Sequence, residues 1–327
     1  MKKKIKWGIL GLGGIAHKFA DDLLLIDNAE INAVASRSID KAEAFKKRYN
    51  AQQALGSYEE LFQSSEVDVI YIATPHTTHK ELSIRAMRHG KNVLCEKPIG
   101  MDRAEVAEMV AVAREQKVFL MEGLWSRFNP TINKVKELIE SGKIGNLGYL
   151  HADFSFYALQ RPVDSRLLNP DLGGGSLLDI GIYPIFLAYL LLGKPTKISS
   201  SSKFLTNGVE IQTSMIFEYP EAQAILYSGL TSESKMEAEL SGSEGTFYLW
   251  PRWHEANGFT LKQNGETEDV ELPTLGIGYT YEIEEVHRCL HEGKKESELW
   301  SLQNSIDLMD LLCEVRSQNG IVFPFEQ

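Results

Sequence analysis

The chain has 327 residues, 43% hydrophobic and 24% charged, with a formal net charge of −11. This length predicts two domains, the acidic balance argues against a nucleic-acid-binding surface, and no apolar run reaches the ~18 residues of a membrane span. The basic start at Met1 precedes an apolar stretch that lysine and glycines interrupt, so we expect no secretory signal. Cys95, Cys289 and Cys313 lie far apart without metal or disulfide spacing, which predicts reduced thiols and a cytoplasmic protein.

The first predicted strand, 5–10, leads directly into a glycine-rich turn and a helix over 15–25. The turn reads GLGGIA, the G-x-G-x-x-G/A fingerprint in its strand–turn–helix context. Gly11 permits the tight turn, Gly13 lets the backbone approach a pyrophosphate, and the small Ala16 lets the helix pack close to the strand. Free N–H groups at the helix start can bind the anion. We therefore expect a dinucleotide site at Gly11, Gly13, Gly14, Ile15 and Ala16; a tight turn that binds nothing is the alternative.

Strands and helices then alternate up to residue 123. Buried-type apolar strands are predicted at 31–36, 67–73, 92–95 and 118–122, with helices at 39–49, 78–89 and 103–116 between them. Ser38, Ser57 and Asp102 stand where N-capping residues are expected. Alternation of this kind predicts βαβ units, and hence a doubly wound parallel sheet covered by helices on both faces. Residues 1–123 are predicted to form the dinucleotide-binding domain.

Beyond this point the pattern changes to period-2 alternation, which is typical of an antiparallel sheet. The predicted strands lie at 148–156, 197–205, 210–219, 223–231, 235–241, 246–250 and 259–263. An apolar helix within 176–192 interrupts them, and helices at 281–292 and 302–319 follow. We expect residues 124–327 to form an α+β domain on an open sheet. One exposed sheet face in a soluble protein indicates self-association, as a homodimer or homotetramer.

Ligands of a doubly wound sheet lie beyond the carboxyl ends of its strands, so polar residues at those positions are candidates for chemistry. Three strand ends are polar here: Thr74-Pro75-His76 with His79, Glu96-Lys97-Pro98, and Glu122-Gly123. A lysine directly after a buried strand, followed by proline, is suited to the cofactor crevice. From position alone, an ordinary surface lysine is an equal alternative for Lys97.

Four segments together resemble the Gfo/Idh/MocA oxidoreductase family: GLGGIA, ATPHTTH at 73–79, CEKPIG at 95–100 and GGGSLLDIGIYP at 173–184. The resemblance covers essentially the whole chain. MEGLWSRFNP at 121–130 is similar to the branch that contains dimeric dihydrodiol dehydrogenases and NADP-dependent D-xylose dehydrogenases. It implies a Rossmann domain followed by a substrate domain on an open sheet, and an NAD(P)-dependent dehydrogenase or reductase acting on CH–OH groups, without a metal.

The resemblance also implies the catalytic residues. Lys97 of the EKP motif would approach the nicotinamide ribose and the reacting carbon. Tyr183 stands where the family commonly has a histidine, four residues after Asp179, and this agrees with the dihydrodiol branch, where a tyrosine is the proposed proton donor and acceptor. A free phenol has a pKa of ~10, and a nearby ammonium favours the phenolate. The alternative is a core tyrosine and a capping aspartate, and Pro184 could disturb the i,i+4 geometry.

The end of the second strand predicts which dinucleotide is bound. An acid there is typical of NAD-binding proteins, whereas this chain has Ser36, Arg37 and Ser38, which suit a 2′-phosphate. We expect a preference for NADP(H); if Arg37 only stacks on adenine, NAD(H) is also used. His76 is expected to line the nicotinamide pocket. A zinc site of His76, His79 and Cys95 is disfavoured because no cysteine cluster accompanies it.

Aromatic residues of the second half suit sugar C–H surfaces or arene diols. The predicted substrate contacts are Trp125, Arg127, Phe154 and Tyr279. The expected reaction is hydride transfer between nicotinamide and a carbinol carbon of a sugar, polyol or trans-dihydrodiol. Two alternatives remain: a dinucleotide sensor without catalysis, because a Rossmann fold does not imply an activity, and a non-sugar reductase related to biliverdin reductase.

Overall fold

The computed structural model describes residues 4–326, so residues 1–3 of the basic start lie outside the described residues. The chain forms two compact units, each of two segments. The first unit contains Met1–Phe128 and Leu275–Ile306, and the second contains Asn129–Thr274 and Asp307–Gln327. The predicted domain division after residue 123 stays a prediction. In the structure, residues 275–306 belong to the same compact unit as the glycine-rich turn.

The first unit is built on a parallel sheet of six strands, which confirms the doubly wound prediction. The strand order is β3-β2-β1-β4-β5-β6, so the first strand lies beside the fourth and the chain order reverses at that point. The strands are β1 (Ile5–Leu10), β2 (Ala29–Ala35), β3 (Gln53–Leu55), β4 (Val69–Ile72), β5 (Asn92–Glu96) and β6 (Leu120–Gly123). The three-residue β3 was not predicted, because QAL is too short for a periodicity.

Helices connect these strands, and their starts follow the predicted capping chemistry. They are α1 (Gly14–Leu23), α2 (Ile39–Tyr49), α3 (Tyr58–Gln63), α4 (His79–Arg88) and α5 (Arg103–Gln116). The hydroxyl of Ser57 accepts the N–H of Glu60 at 3.3 Å and donates to the Glu60 carboxylate, so Ser57 is the N-cap of α3. Asp102 accepts the N–H of Glu105 at 2.8 Å, and Ser38 caps α2 in the same way. The three predicted N-caps are confirmed.

The second unit contains an eight-stranded mixed sheet in the order β14-β13-β12-β11-β7-β10-β9-β8. Every neighbouring pair is antiparallel except β7 with β10, which confirms the largely antiparallel prediction. Its strands are β7 (Leu147–Ser155), β8 (Lys197–Phe204), β9 (Glu210–Glu218), β10 (Gln223–Gly229), β11 (Ala238–Gly242), β12 (Thr246–Leu249), β13 (Gly258–Gln263) and β14 (Glu266–Glu271). The charged ETEDVE of β14 was not predicted as a strand.

The remaining helices are α6 (Pro130–Glu140), α7 (Ile182–Leu192), α8 (Tyr279–His291) and α9 (Leu302–Asn319). A π-helical turn, Leu177–Gly181, leads into α7. The helical stretch Pro170–Leu192 is long and apolar enough to cross a membrane, but 78% of its most apolar window is buried inside the protein. This burial is typical of a core helix.

Helix α8 packs on the sheet of the first unit through one buried imidazole. The indole N–H of Trp7 on β1 donates to Nε2 of His287 at 2.9 Å, and Nδ1 of His287 lies 3.3 Å from Oδ1 of Asn28. Because Nε2 accepts, the proton of the neutral ring is on Nδ1. Burial lowers the pKa of His287 to about 4, with a smaller contribution from the nearby His291.

We expect this histidine to make folding stability depend on pH. A depressed folded pKa means that the unfolded chain binds the proton more tightly, so the contribution is present above pH ~6.5 and is lost as the pH falls towards 4. A shift from 6.5 to about 4 corresponds to about 3 kcal/mol. His287→Gln keeps a side-chain acceptor for Trp7 and removes the titration.

Urea unfolding between pH 4 and 7.5 measures this effect. The wild type should lose more stability than His287→Gln on acidification. Parallel curves for the wild type and His287→Gln would contradict the assignment.

Candidate active site

The glycine-rich turn lies between β1 and α1, at the carboxyl edge of the parallel sheet. Gly11 has φ +89°, and a Cβ at this residue would lie 2.7 Å from the carbonyl oxygen of Ala73. Gly13 is the N-cap of α1, and a Cβ on Gly13 or Gly14 would meet no atom within 4 Å. Ala16 is fully buried against the sheet. The first N–H groups of α1 therefore border an open space, which fits a pyrophosphate.

The two glycines are expected to respond differently to substitution. Gly11→Ala should cost on the order of 1–3 kcal/mol, because a side chain is strained at positive φ and collides with backbone. Gly13→Ala should leave the stability of the free protein unchanged and weaken NADPH binding, because only a bound pyrophosphate would meet its methyl group.

Thermal unfolding without ligand, together with fluorescence titration with NADPH, separates these effects. Gly90→Ala is a control for strain alone, since Gly90 also has positive φ and has open space at its Cβ. Normal NADPH binding by Gly13→Ala would contradict the assigned role of the turn.

The end of β2 presents the predicted 2′-phosphate residues. Arg37 is exposed, and Ser36 and Ser38 are half-buried on either side of it. The hydroxyl of Ser36 accepts the N–H of Ser38 at 3.2 Å, which orders this short connection. The first acid after the strand is Asp40, in the first turn of α2. The strand end thus offers a solvent-accessible guanidinium.

The loops after β4 and β5 are joined by a buried histidine. Nδ1 of His79 lies 2.8 Å from the carbonyl oxygen of Pro98, and Nε2 lies 2.9 Å from the carbonyl oxygen of Thr74. His79 is fully buried, and His76, which begins a short 3-10 turn nearby, is also buried. Both ring nitrogens of His79 are thus directed at backbone oxygens, so this residue links the two loops to each other. Within residues 4–326, no group of three His, Cys, Asp or Glu side chains is placed to hold a metal ion.

The residue before Lys97 is part of a buried hydrogen-bond pair. The hydroxyl of Tyr71 on β4 donates to Oε1 of Glu96, and Oε2 of Glu96 accepts the backbone N–H of Lys97 at 3.2 Å. Burial, together with the nearby carboxylates, raises the pKa of Tyr71 well above its usual value, so it remains a phenol that can donate. The backbone of Lys97 is therefore held by side chains from two neighbouring strands of the sheet, β4 and β5.

Two predicted substrate residues form an aromatic stack within the first unit. The rings of Trp125 and Tyr279 are nearly parallel, 9° apart, with centroids separated by 4.8 Å. Tyr279 begins α8, and its backbone N–H donates to the carboxylate of Asp22 at 2.8 Å. Asp22 also accepts the N–H groups of Ile277 and Gly278. Asp22 was missed in the sequence because its partners lie about 255 residues away. Arg127 is buried, and its Nε donates to the carbonyl of Leu299 at 2.8 Å.

The second unit holds Asp179 and Tyr183 at the junction of the π-helical turn and α7. Pro184 lies directly after the π-helical turn, and the helix continues beyond it to Leu192, so the proline does not break the helix. Oδ1 of Asp179 accepts a hydrogen bond from Nη1 of Arg166 at 2.8 Å. Asp179 is thus ion-paired rather than a helix cap, and a π-helical turn is a feature that often marks functional sites.

Tyr183 lies in a cluster of three rings. Its ring centroid is 5.4 Å from that of Phe154 on β7 and 5.4 Å from that of His254, and Phe154 stacks on His254 at 4.1 Å. All three are buried. The sequence contained no signal for His254, because it lies in an irregular turn, PRWHEANG, with no spacing that relates it to Tyr183. The structure therefore adds a titratable group beside the predicted proton donor.

A glycine turn at the reversal point of a parallel sheet, with polar side chains at the neighbouring strand ends, defines a dinucleotide-binding protein of the Rossmann class. Sequence profiles specify the class. The oxidoreductase profile with an NAD-binding Rossmann fold of the GFO/IDH/MocA family matches residues 5–124, and the C-terminal domain profile of the same family matches residues 132–248. The chain belongs to this family, as its motifs predicted.

Characterised relatives match over nearly the whole chain. A trans-1,2-dihydrobenzene-1,2-diol dehydrogenase of Mus musculus is 37% identical over 98% of both chains. A D-xylose 1-dehydrogenase (NADP(+)) of Hypocrea jecorina is 34% identical over 98% of this chain and 93% of its own. Among solved structures, a 3-ketoreductase from Actinomadura kijaniata in complex with NADP and TDP-benzene has a TM-score of 0.88 at 26% identity, covering 97% of this chain and 98% of its own.

Proposed function

We propose that the protein is an NADP(H)-dependent oxidoreductase that transfers a hydride between nicotinamide and a carbinol carbon of a sugar, polyol or trans-dihydrodiol. The observation that carries this proposal is the near full-length match to a dihydrodiol dehydrogenase and to an NADP-dependent D-xylose dehydrogenase. The solved relative with NADP bound supports the same cofactor. These relatives all act on oxygen-bearing carbons of small molecules, which favours catalysis over dinucleotide sensing.

The cofactor is assigned to the first unit. Its pyrophosphate would lie at the start of α1, and its 2′-phosphate would be bound by Arg37 with the hydroxyls of Ser36 and Ser38. This arrangement is supported by the exposed guanidinium and by the absence of an acid at the end of β2 among the described residues. Thr74, Pro75 and His76 follow the next strand and are assigned to the nicotinamide side.

We expect NADPH to bind more tightly than NADH, and Arg37→Ala to weaken NADPH binding by at least about 10-fold while changing NADH binding little. Fluorescence titration of both nucleotides measures this. Lys47→Ala is the matched control, because it removes an exposed positive charge from the same region without touching the strand end. Equal affinities that Arg37→Ala does not change would make NAD(H) the working cofactor.

The chemical step is assigned to Tyr183, Lys97 and Asp179. Nicotinamide, when bound, would supply or accept the hydride at its C4 atom. In the oxidation direction, Tyr183 takes the hydroxyl proton of the substrate as the hydride leaves its carbinol carbon, and the reverse step returns the proton. Lys97 favours the phenolate and holds the hydroxyl oxygen, and Asp179, fixed by Arg166, orients the reacting group. Trp125, Phe154, Tyr279 and Arg127 are the proposed substrate contacts.

Tyr183→Phe and Lys97→Met should each lower kcat by about 10²-fold or more, because each removes a group from proton transfer. The measurement is steady-state turnover of D-xylose and trans-dihydrodiols with NADP+, with cofactor affinity checked by fluorescence. Tyr157→Phe is the control, since Tyr157 is 46% exposed and lies just after β7. Normal turnover by both variants would reject the assignment, and tight NADPH binding without turnover of any carbonyl compound by the wild type would favour a sensor.

We further propose a homodimer or homotetramer that forms through the sheet of the second unit. Ile216 on β9 and Ile225 on β10 are paired across the two strands and are 40% and 39% exposed. Light scattering should give a multiple of the 36.7 kDa chain, and the combined Ile216→Lys and Ile225→Lys variant should be monomeric. Val163→Lys, at an exposed apolar residue outside the strands, is the control. A monomeric wild type would contradict this proposal.

A cytoplasmic location completes the proposal. Its support is that the apolar Pro170–Leu192 stretch is mostly core and that Cys95 and Cys289 are buried thiols. Burial raises the pKa of both thiols, which keeps them protonated and unreactive. Cell fractionation followed by immunoblotting tests the compartment, and recovery in the membrane pellet would contradict it.

A further inference from the structure

One buried carboxylate underlies the far end of the loop that carries Lys97. Glu122 lies on β6, is 2% exposed, and accepts the backbone N–H of Ile99 through Oε1 at 3.0 Å. Its Oε2 lies 3.3 Å from the indole Nε1 of Trp300, which also donates to the hydroxyl of Ser305 at 3.0 Å. The side chain of Glu122 was noted in the sequence only as a polar strand end.

The two ends of this loop are held by different carboxylates. Glu96 binds the N–H of Lys97 and is itself engaged by the hydroxyl of Tyr71. Glu122 binds the N–H of Ile99, two residues further along. The intervening backbone, with a cis peptide bond between Lys97 and Pro98, is therefore fixed on both sides of the lysine by hydrogen bonds to buried acids.

The electrostatics of Glu122 also link it to the lysine. Burial raises the pKa of the Glu122 carboxyl, whereas hydrogen bonds from Ser305, Ile99 and Trp300 and the positive charge of Lys97 lower it. Burial outweighs these contributions, so the pKa of Glu122 stays above its usual value. The hydrogen-bond donors offset part of the cost of burying this polar group.

We propose that Glu122 is the positioning residue for Lys97: its hydrogen bond to the Ile99 N–H fixes the Lys97–Gly100 loop, so that the lysine reaches the reacting group in one orientation. This inference rests on the proposed function, in which Lys97 acts in the chemical step. Trp300 assists by donating its indole N–H to the same carboxylate. The expected consequence is on turnover rather than on cofactor affinity, because the pyrophosphate and 2′-phosphate residues lie on other loops.

The test is Glu122→Gln, which keeps the shape but places an amide N–H₂ opposite one of the two N–H donors. We expect kcat to fall about 10- to 100-fold, the effect of a small misplacement of a catalytic group, with the NADPH dissociation constant within about 3-fold of wild type. Trp300→Phe keeps the carboxylate and removes one donor, and should lower kcat less. Glu285→Gln is the matched control, because Glu285 is a buried, hydrogen-bonded glutamate bound instead to Ser297 and Arg288.

The same substitution in a Lys97→Met background distinguishes positioning from general damage. If Glu122 acts through the lysine, Glu122→Gln should lower kcat no further once Lys97 is absent. An equal loss in both backgrounds, or unchanged turnover in Glu122→Gln, would overturn the inference while leaving the proposed function intact. Unchanged turnover in Lys97→Met alone would overturn this inference and the role of Lys97 in the chemical step, but not the oxidoreductase activity itself. If Glu122→Gln does not fold, Trp300→Phe is taken through the same cycle.

Discussion

The close approach of β1 and β4 at the carboxyl edge of the parallel sheet is the constraint on which the first unit depends. Gly11 turns the chain away from β1 at positive φ, with space for a hydrogen atom but not for a carbon against the carbonyl of Ala73. Because the turn is this tight, α1 begins at once and its first N–H groups border the crevice where the strand order reverses. The loops after β4 and β5 end at the same edge.

Buried polar side chains fix these loops and the start of α8. Asp22 accepts the backbone N–H of Tyr279 at the start of α8, and His79 joins the loops after β4 and β5. Glu122 accepts the backbone N–H of Ile99 in the loop of Lys97. Each would be costly to bury without partners, and each has several. Their common effect is that the candidate site rests on side chains anchored in strands and helices rather than on flexible connections.

In the second unit, the candidate proton donor Tyr183 lies on the apolar core helix α7. The π-helical turn Leu177–Gly181 changes the helical register directly before Tyr183, and Arg166 fixes Asp179 by an ion pair. The rings of Phe154 and His254 stack on each other, and both lie beside the tyrosine. The phenol ring is thus bordered by a stacked phenyl and imidazole pair.

The sequence by itself determined the parallel sheet, the capped helices and the glycine turn, because apolar periodicity and N-cap chemistry act within a few residues. It also determined the family and the residue types of the candidate site, because these are written as short motifs. Only the tertiary structure decided the partners of Asp22, Asp179 and Glu122, the return of 275–306 to the first unit, and the place of His254. These depend on contacts between segments distant in the chain, and no local pattern encodes which distant donor will meet a given carboxylate.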